Sequence, residues 1–453
     1  MKYTLYIIYS IVLLNIAACI TDRYPPVKED IVPLDSIFSK EGETDSIPIL
    51  PTFAPPTYNI ITNPTRGTGV FNGWEEDMEH WMTAPFHTYS YWSGTANTDY
   101  TKVSLPHCLL HEDTIKIVDA QGNVKFFENN KQVYRIYPKD YLINKYAFFT
   151  FFCDKLTPVI YKTKDSITAS LKLDGSSDLI HSYAYHSDSL YKATLASLPK
   201  DDIWEILDAD KEEKNLLYST ISGRGHINPL FHLNHLLTRF DILIKAVETK
   251  ESDLSFLNMI VDGITIDAPK DVILKVAKDS WDEKSYETEL TNNTLLKFEK
   301  SSNDTIYQLD MLHKLIQSTN YNKGKGTDYD NVRLDWEKKM GAQDTAYFYI
   351  GHTNTDTLCR PLLVPPLPSY HLTMKGRALN IEADTLALNT DGKYYRDVVS
   401  ETELILTDGE KFKAGNKYTI TIYVYNDGTK ISAVITGLND EQWRDEHIFE
   451  IHD

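Results

Sequence analysis

Tyr418-Thr419-Ile420-Thr421-Ile422-Tyr423-Val424-Tyr425, closed by Asn426-Asp427-Gly428 and answered by Ile431 to Ile435, is the stretch that decides the fold class. Its period is two. Tyr418, Ile420, Ile422 and Val424 fall on one face, and Thr419, Thr421, Tyr423 and Tyr425 on the other, as in a strand with one buried side. Asn, Asp and Gly tolerate the positive φ that a tight hairpin turn needs. A hairpin pairs its strands antiparallel, so the expected fold is all-β, built of antiparallel β-sandwiches and not of a parallel doubly wound sheet.

The same character extends through the chain. Phe86 to Trp92 alternates, Tyr146 to Phe152 is apolar on both faces, and Ile167 to Leu173 alternates again before the turn residues Asp174 to Asp178. Ile260 to Ile266, Val272 to Val276, Thr345 to Ile350 and Tyr370 to Met374 complete the strand expectations. The composition agrees, because 29 Tyr, 17 Phe and 7 Trp among 453 residues suit half-buried strand positions. Helix is expected only in loops. Residues 187–215 are rich in Leu, Ala, Lys, Glu and Asp, His232 to Ile244 opens with helical spacing and ends as a β-type run, and Met311 to Gln317 is a possible helix in a polar insertion over 280–340.

The N-terminus carries an export pattern. Lys2 precedes an apolar run from Leu5 to Leu14, and Ile16-Ala17-Ala18 leads to Cys19. The run is shorter than the ~20 residues that cross a bilayer as a helix, and small residues before the cut are what signal peptidases require. The pattern resembles the lipobox of a bacterial lipoprotein precursor. That implies a signal peptide over 1–18 and lipid on Cys19. Ile20 follows where an Asp would argue for inner-membrane retention, so outer-membrane lipid is the expected partner of Cys19. Residues 19–66 then hold Pro25, Pro26, Pro33, Pro48, Pro51, Pro55, Pro56 and Pro64. Proline removes backbone donors, so this segment reads as a tether or propeptide. Within it only Ile47 to Leu50 and Tyr58 to Ile61 could pair, as brief edge strands. The folded body is expected to begin at Gly67.

The chain carries 46 basic and 65 acidic residues, a net charge of −19, which excludes nucleic acid as an expected partner. Beyond Cys19, Cys108, Cys153 and Cys359 form neither a disulfide framework nor a zinc pattern. His232 and His235 lack the Glu of a His-Glu-x-x-His helix, so core or hydrogen-bonded histidines are expected. His80, His87, His107 and His111 lie near Cys108 at spacings that match no standard zinc site. Gly67, Gly69 and Gly73 miss a dinucleotide loop, Glu75 to Glu79 reads as a solvated acidic loop, and no Gly-x-Ser-x-Gly elbow occurs. No metal, no cofactor and no catalytic residue is expected. A competing reading is a glycan-binding surface lipoprotein using Trp74, Trp81, Trp92 or Trp281 as sugar platforms; a third is a surface hydrolase.

Several segments together resemble the fimbrillins, pilus subunits of Bacteroidales. They are Thr65-Arg66-Gly67-Thr68-Gly69 with Trp74; Phe86 to Trp92; Tyr146 to Phe152; Leu173 to Ile180 with its Gly175-Ser176-Ser177-Asp178; Arg224 and Pro229, then Phe231 to Phe240 with His235, Leu236 and Arg239; Leu362 to Pro366; and Phe412 to Tyr418 with the hairpin and Trp443. The resemblance implies two transthyretin-like sandwich domains, placed here at 67–250 and 251–453. It implies proteolytic maturation between Arg66 and Gly67, other fimbrial subunits as partners through strand donation, and adhesion to host or bacterial surface ligands. If Cys19 is the acylated residue, Cys19→Ala abolishes incorporation of a labelled fatty acid into the exported chain, and undiminished labelling refutes the lipoprotein reading.

Overall fold

The computed structural model describes residues 47–54, 78–93, 98–119, 122–138, 145–184, 218, 228–247, 259–279, 281–298, 305–309, 314–317, 347–350, 356–357, 359–379, 381–382, 385–386, 390, 392, 395–406, 411–425 and 431–438. These residues are overwhelmingly strand. A seven-stranded antiparallel sheet runs in the order β13 (Asn234–His235), β11 (Ile180–Ala184), β8 (Tyr146–Phe152), β3 (Phe86–Trp92), β4 (Cys108–Ile117), β5 (Val124–Glu128), β6 (Lys131–Val133). A four-stranded antiparallel sheet runs β17 (Leu296–Phe298), β16 (Asp271–Lys278), β10 (Ser166–Lys172), β9 (Val159–Lys162).

Two further sheets hold most of the later chain. One runs β21 (Asp356–Thr357), β14 (Thr238–Val247), β27 (Lys417–Tyr425), β28 (Ile431–Leu438), with β22 (Leu362–Val364) also on β14. The other runs β20 (Tyr347–Ile350), β19 (Lys314–Gln317), β15 (Met259–Asp267), β23 (Ser369–Leu379), β26 (Tyr395–Ile405), with β18 (Ile306–Gln308) also on β15. Three small pairs remain: β1 (Ile47–Pro48) with β7 (Ile136–Tyr137), β2 (Thr52–Ala54) with β12 (Leu230–His232), and β24 (Ile381–Glu382) with β25 (Thr385–Leu386). Among the described residues the helices are α1 (Met78–Thr83) and α2 (Glu283–Thr291).

The fold is an all-β sandwich fold, as the hairpin requires. β27 and β28 pair antiparallel, and Tyr418, Ile420 and Ile422 of β27 are buried. What the hairpin does not reveal is its other neighbour. β27 lies parallel to β14 over nine residue pairs, from Arg239↔Lys417 to Val247↔Tyr425.

The seven-stranded sheet explains the apolar run of β8. All seven of its residues are buried. Ala147, Phe149 and Phe151 join Tyr89, Tyr91 and Tyr183 in a core shared with Ile167, Ala169 and Leu171 of β10 and Val272, Leu274 and Val276 of β16. Tyr146, Phe148 and Phe152 face the other way, with Phe86, Trp81, Ile180, Tyr218 and Phe231. Thr150 lies in the middle of the sheet, where its hydroxyl meets that of Thr88 at 3.0 Å and donates to the His87 carbonyl.

Two helical expectations are corrected. The opening of His232 to Ile244 contains no helical turn and passes from β12 through β13, while its end is the expected β-type run, β14. Its 3.6-residue spacing arises because Leu233, Leu236 and Leu237 are all buried around a bend between two sheets. Residues 314–317 of the second expected helix are a strand on the edge of β15, where β-branched and aromatic neighbours outweigh local propensity. Among the described residues of 280–340 a helix lies earlier, at α2, where Asp282 and Ser285 form reciprocal caps. Residues 187–215 lie outside the described residues.

Strand pairing interleaves the two stretches assigned to separate domains. β14 precedes residue 250 but joins β27, and β16 and β17 follow it but join β10. The division at 250 therefore stays a proposal, with both sides exchanging strands.

His181 on β11 ties these layers together. Its Nε2 donates to the Val276 carbonyl at 2.9 Å, and its Nδ1 accepts from the Tyr286 hydroxyl at 3.0 Å. Burial lowers its pKa from 6.5 to about 4. The neutral form is thus favoured on folding, and the unfolded chain binds more protons between these values. The contribution is present above pH 6.5 and is lost as pH falls toward 4, amounting to about 3 kcal/mol. Imidazole NMR on the folded chain is expected to show His181 titrating below pH 5; a midpoint near 6.5 contradicts this environment.

Candidate functional site

Residues 47–54 precede Arg66 and yet belong to the folded body. Pro48 and Pro51 limit how much pairing the segment can make, because proline offers no N–H. Three of the remaining donors find carbonyls of the body. Ile49 N–H donates to the Arg135 carbonyl, Thr52 N–H to the Pro229 carbonyl and Phe53 N–H to the Gly122 carbonyl, each at 2.8 Å. The segment therefore has main-chain partners on two sides. β2 runs parallel to β12 with Phe53 opposite Phe231, while Thr52 also bridges Asn123. That second partner is a tight turn. Asp119 accepts from the Asn123 N–H at 3.0 Å and from its side-chain amide at 2.8 Å.

Side chains complete the seat. Ile49 and Phe53 are almost wholly buried. The Phe53 ring lies 4.7 Å from that of Phe86 and 5.5 Å from that of Phe231, and Trp81 of α1 stacks on the far side of Phe86. Burying each such side chain contributes about 1.5–3 kcal/mol. These residues cover the second face of the seven-stranded sheet, over Tyr146, Phe148 and Phe152.

The pairing of Ile47–Pro48 agrees with the brief edge strand expected there. β2 was not legible, since Phe53 is one apolar residue between Pro51 and Pro55-Pro56; its only signal is that an isolated Phe in a Pro-rich tether needs a place to be buried. Tyr58 to Ile61, the maturation residues Arg66 and Gly67, and the lipidation residue Cys19 all lie outside the described residues.

A second constellation brings together four of the sequence motifs. Asp178, wholly buried, accepts from His235 Nδ1 at 2.8 Å and from the Leu179 N–H at 2.7 Å. Leu236 N–H donates to the Leu179 carbonyl, Leu363 N–H to the Gly175 carbonyl, and Gly415 N–H to the Leu237 carbonyl. Gly175 has φ +83°, and a Cβ there would lie 2.8 Å from Leu362 Cδ1 and 2.9 Å from Tyr307 Cδ1, so only glycine fits. Arg239 donates to Asp241 at 2.8 Å, and Lys417 lies 3.3 Å from the same carboxylate. Phe412 packs edge-on against Tyr370 and Tyr418, each 4.9 Å away. Asp178 and His235 are buried against each other, and the main-chain bonds around them join the sheets, as in a structural junction.

Other candidates separate. Trp81 and Trp281 are buried and Trp92 is half-buried, so the described tryptophans form no exposed coplanar pair; Trp74 lies outside the described residues. His111 Nε2 contacts Lys162 Nζ at 2.6 Å, while Cys108 donates to the Leu110 carbonyl. No group of three metal-ligating side chains occurs among the described residues. Cys108, Cys153 and Cys359 are buried and outside any disulfide; burial pushes the Cys108 thiol up to about 11 and that of Cys153 to about 12, which disfavours the thiolate. No helix among the described residues is long and apolar enough to cross a membrane.

Neither a family model nor a curated protein matches this chain. Solved structures are similar to it. A fimbrial protein from Bacteroides vulgatus is similar with a TM-score of 0.45 at 11% identity, covering 88% of this chain and 99% of that one. The fimbrial anchor protein Mfa2 from Porphyromonas gingivalis is similar with a TM-score of 0.32 at 10% identity, covering 89% of this chain and 100% of that one. Likenesses this distant bear on the fold only.

If Phe53 anchors the N-terminal strands, Phe53→Ala costs about 3 kcal/mol or more in urea unfolding and speeds proteolysis around residue 50. Unchanged stability and unchanged proteolysis refute the seat.

Proposed function

We propose that this chain is a non-catalytic fimbrial subunit of a bacterial cell surface, a shaft, accessory, tip or anchor component, held at the outer membrane by lipid on Cys19. It joins other fimbrial subunits by strand exchange and serves adhesion to host or bacterial surface ligands. The observation that carries the reading is the seat of residues 47–54. The segment lies between the lipidation residue and Arg66, so a cut at Arg66–Gly67 severs it from the body in sequence while the body keeps its own sheets. If it then leaves, β12 and the Gly122–Asn123 turn lose main-chain partners, and the Phe53 pocket opens beside Phe86 and Phe231. A neighbour's strand offers the same bonds and an alternate side chain for the pocket, which is β-augmentation.

The glycan-platform reading asks for exposed tryptophans. Two of the four it invokes are buried, so the subunit reading is preferred.

The reading is tested by treating the purified chain with a trypsin-like protease. Wild type is expected to yield a new terminus at Gly67 and oligomers on size-exclusion chromatography. Arg66→Ala is expected to yield neither. Stable monomers after a clean cut exclude strand exchange and leave the anchor or tip role.

A further inference from the structure

The seven-stranded sheet is wider than the four-stranded sheet that covers it. The end strand of the smaller sheet, β9, reaches the larger one through Lys162, whose ammonium donates to His111 of β4 and to Tyr91 of β3. Beyond that contact, β5 and β6 extend as a wing. Val124 and Phe126 of β5 turn into the core, whereas Lys125 and Phe127 point the other way, toward solvent.

This face is built against ordinary pairing rules. Lys116 and Lys125 stand directly opposite each other on β4 and β5, and like charges in that position destabilise a sheet. Among the described residues neither has an ion-pair partner. Lys116 lies over the Phe127 ring at 5.3 Å. Asp113 and Glu128 alternate onto the opposite face of the sheet, where Arg135 engages both, and Asp119 is engaged by Asn123. Glu128 and Lys131 stand opposite each other at the strand ends. Two unpaired lysines side by side, in a chain of net charge −19, call for an anionic surface. Exposed apolar groups border them: Tyr134 is 42% and Ile136 49% exposed.

The path of the chain says which surface. Ile136 pairs with Pro48 and Tyr137 with Ile47, so the N-terminal tether enters the body at the border of this wing. Residues 19–46 reach at most roughly 100 Å when fully extended. Lipid on Cys19 would therefore keep the wing within reach of the membrane at high effective concentration.

We propose that the outer face of β4–β6, with Lys116, Lys125, Phe127 and Tyr134, is a docking surface for an anionic lipid bilayer. The proposal rests on the lipid-anchor reading only for its tether. Lysines attract anionic headgroups, and aromatic rings settle at the headgroup level. Docking would orient the body on the membrane.

The test is flotation of the full chain carrying Cys19→Ala. It uses phosphatidylcholine vesicles with and without phosphatidylglycerol, at a lipid concentration that floats less than half of the chain on the neutral vesicles. The expected result is preference for the anionic vesicles, weakened by salt. The double variant K116Q/K125Q should lower the anionic-to-neutral ratio about thirty-fold, on the order of five-fold per lysine. Tyr134→Ser should lower binding further, and Lys375→Gln, on exposed β23, should change nothing. Equal partition onto both vesicles, a ratio unmoved by the double variant, or an equal effect of Lys375→Gln overturns the proposal. So does the same lysine dependence toward polyglutamate without any vesicle preference. Fatty-acid labelling at Cys19 is a separate readout. Its failure with vesicle preference intact removes the tether and leaves the docking surface standing.

Discussion

The buried contact between Asp178 and His235 is the constraint on which the rest of the arrangement depends. His235 is the last paired residue of the seven-stranded sheet, and three residues later the chain is in β14, the strand that carries β27 and β22. The turn between these sheets passes through Leu236 and Leu237, both buried. A buried carboxylate is tolerated only when its oxygens are paired. Here one oxygen takes the imidazole and the other the Leu179 N–H. The polar contact fixes where the chain leaves one sheet and enters the next, and the apolar core then follows. Gly175, beside it, is fixed by the close approach of Tyr307 and Leu362, so β18 and β22 are positioned by the same turn.

A sheet buried on both faces needs two covers. The four-stranded sheet supplies one cover of β8. The other is assembled from short pieces: α1, Tyr218, β12 and the N-terminal strands. Because β1 and β2 hold so few residues, that cover takes its main-chain bonds from short pairings and not from a long ladder. Exchange of a strand costs least at such a place, since few bonds are broken and the same few are re-formed. The functional reading follows from this asymmetry between the two covers.

Much of the fold was legible because period-two patterns survive in long strands. β3, β8, β10 and the β27–β28 hairpin all stand where alternation or a continuous apolar run placed them. What was not legible depends on non-local pairing. Nothing in Tyr418 to Tyr425 announces a parallel partner, because the side-chain period is the same for both senses. His232 to Ile244 imitated a helix since a chain bending between two sheets buries residues at irregular intervals. The motifs around Gly175, His235, Leu362 and Phe412 were visible one by one, but their convergence was not, as they are held by backbone hydrogen bonds that leave no trace in composition. At the N-terminal seat, prolines gave the correct expectation of short strands and hid β2, whose hold rests on a single phenyl ring.

The open edges elsewhere sharpen the case for that seat. An edge strand offers unpaired backbone groups to any neighbour, and proteins blunt such edges with charge, inward-pointing lysines or short length. β9 is short, and its Lys162 turns inward onto the Tyr89 and Tyr91 rings. β26 is long, and its exposed positions alternate Asp397, Val399, Glu401, Glu403 and Ile405. Two copies meeting at β26 would bring acidic rows together, and two meeting at β9 would have to displace a lysine already bonded to Tyr91 and His111. The ground beneath residues 47–54 carries no such guard. Phe86, Phe231 and the carbonyls of Gly122, Pro229 and Arg135 face the segment, and the Arg135 side chain is engaged by Asp113 and Glu128. Once emptied, that seat would be less defended than β9 or β26, and on the proposed reading a neighbour's strand would be directed to it by exclusion as much as by attraction.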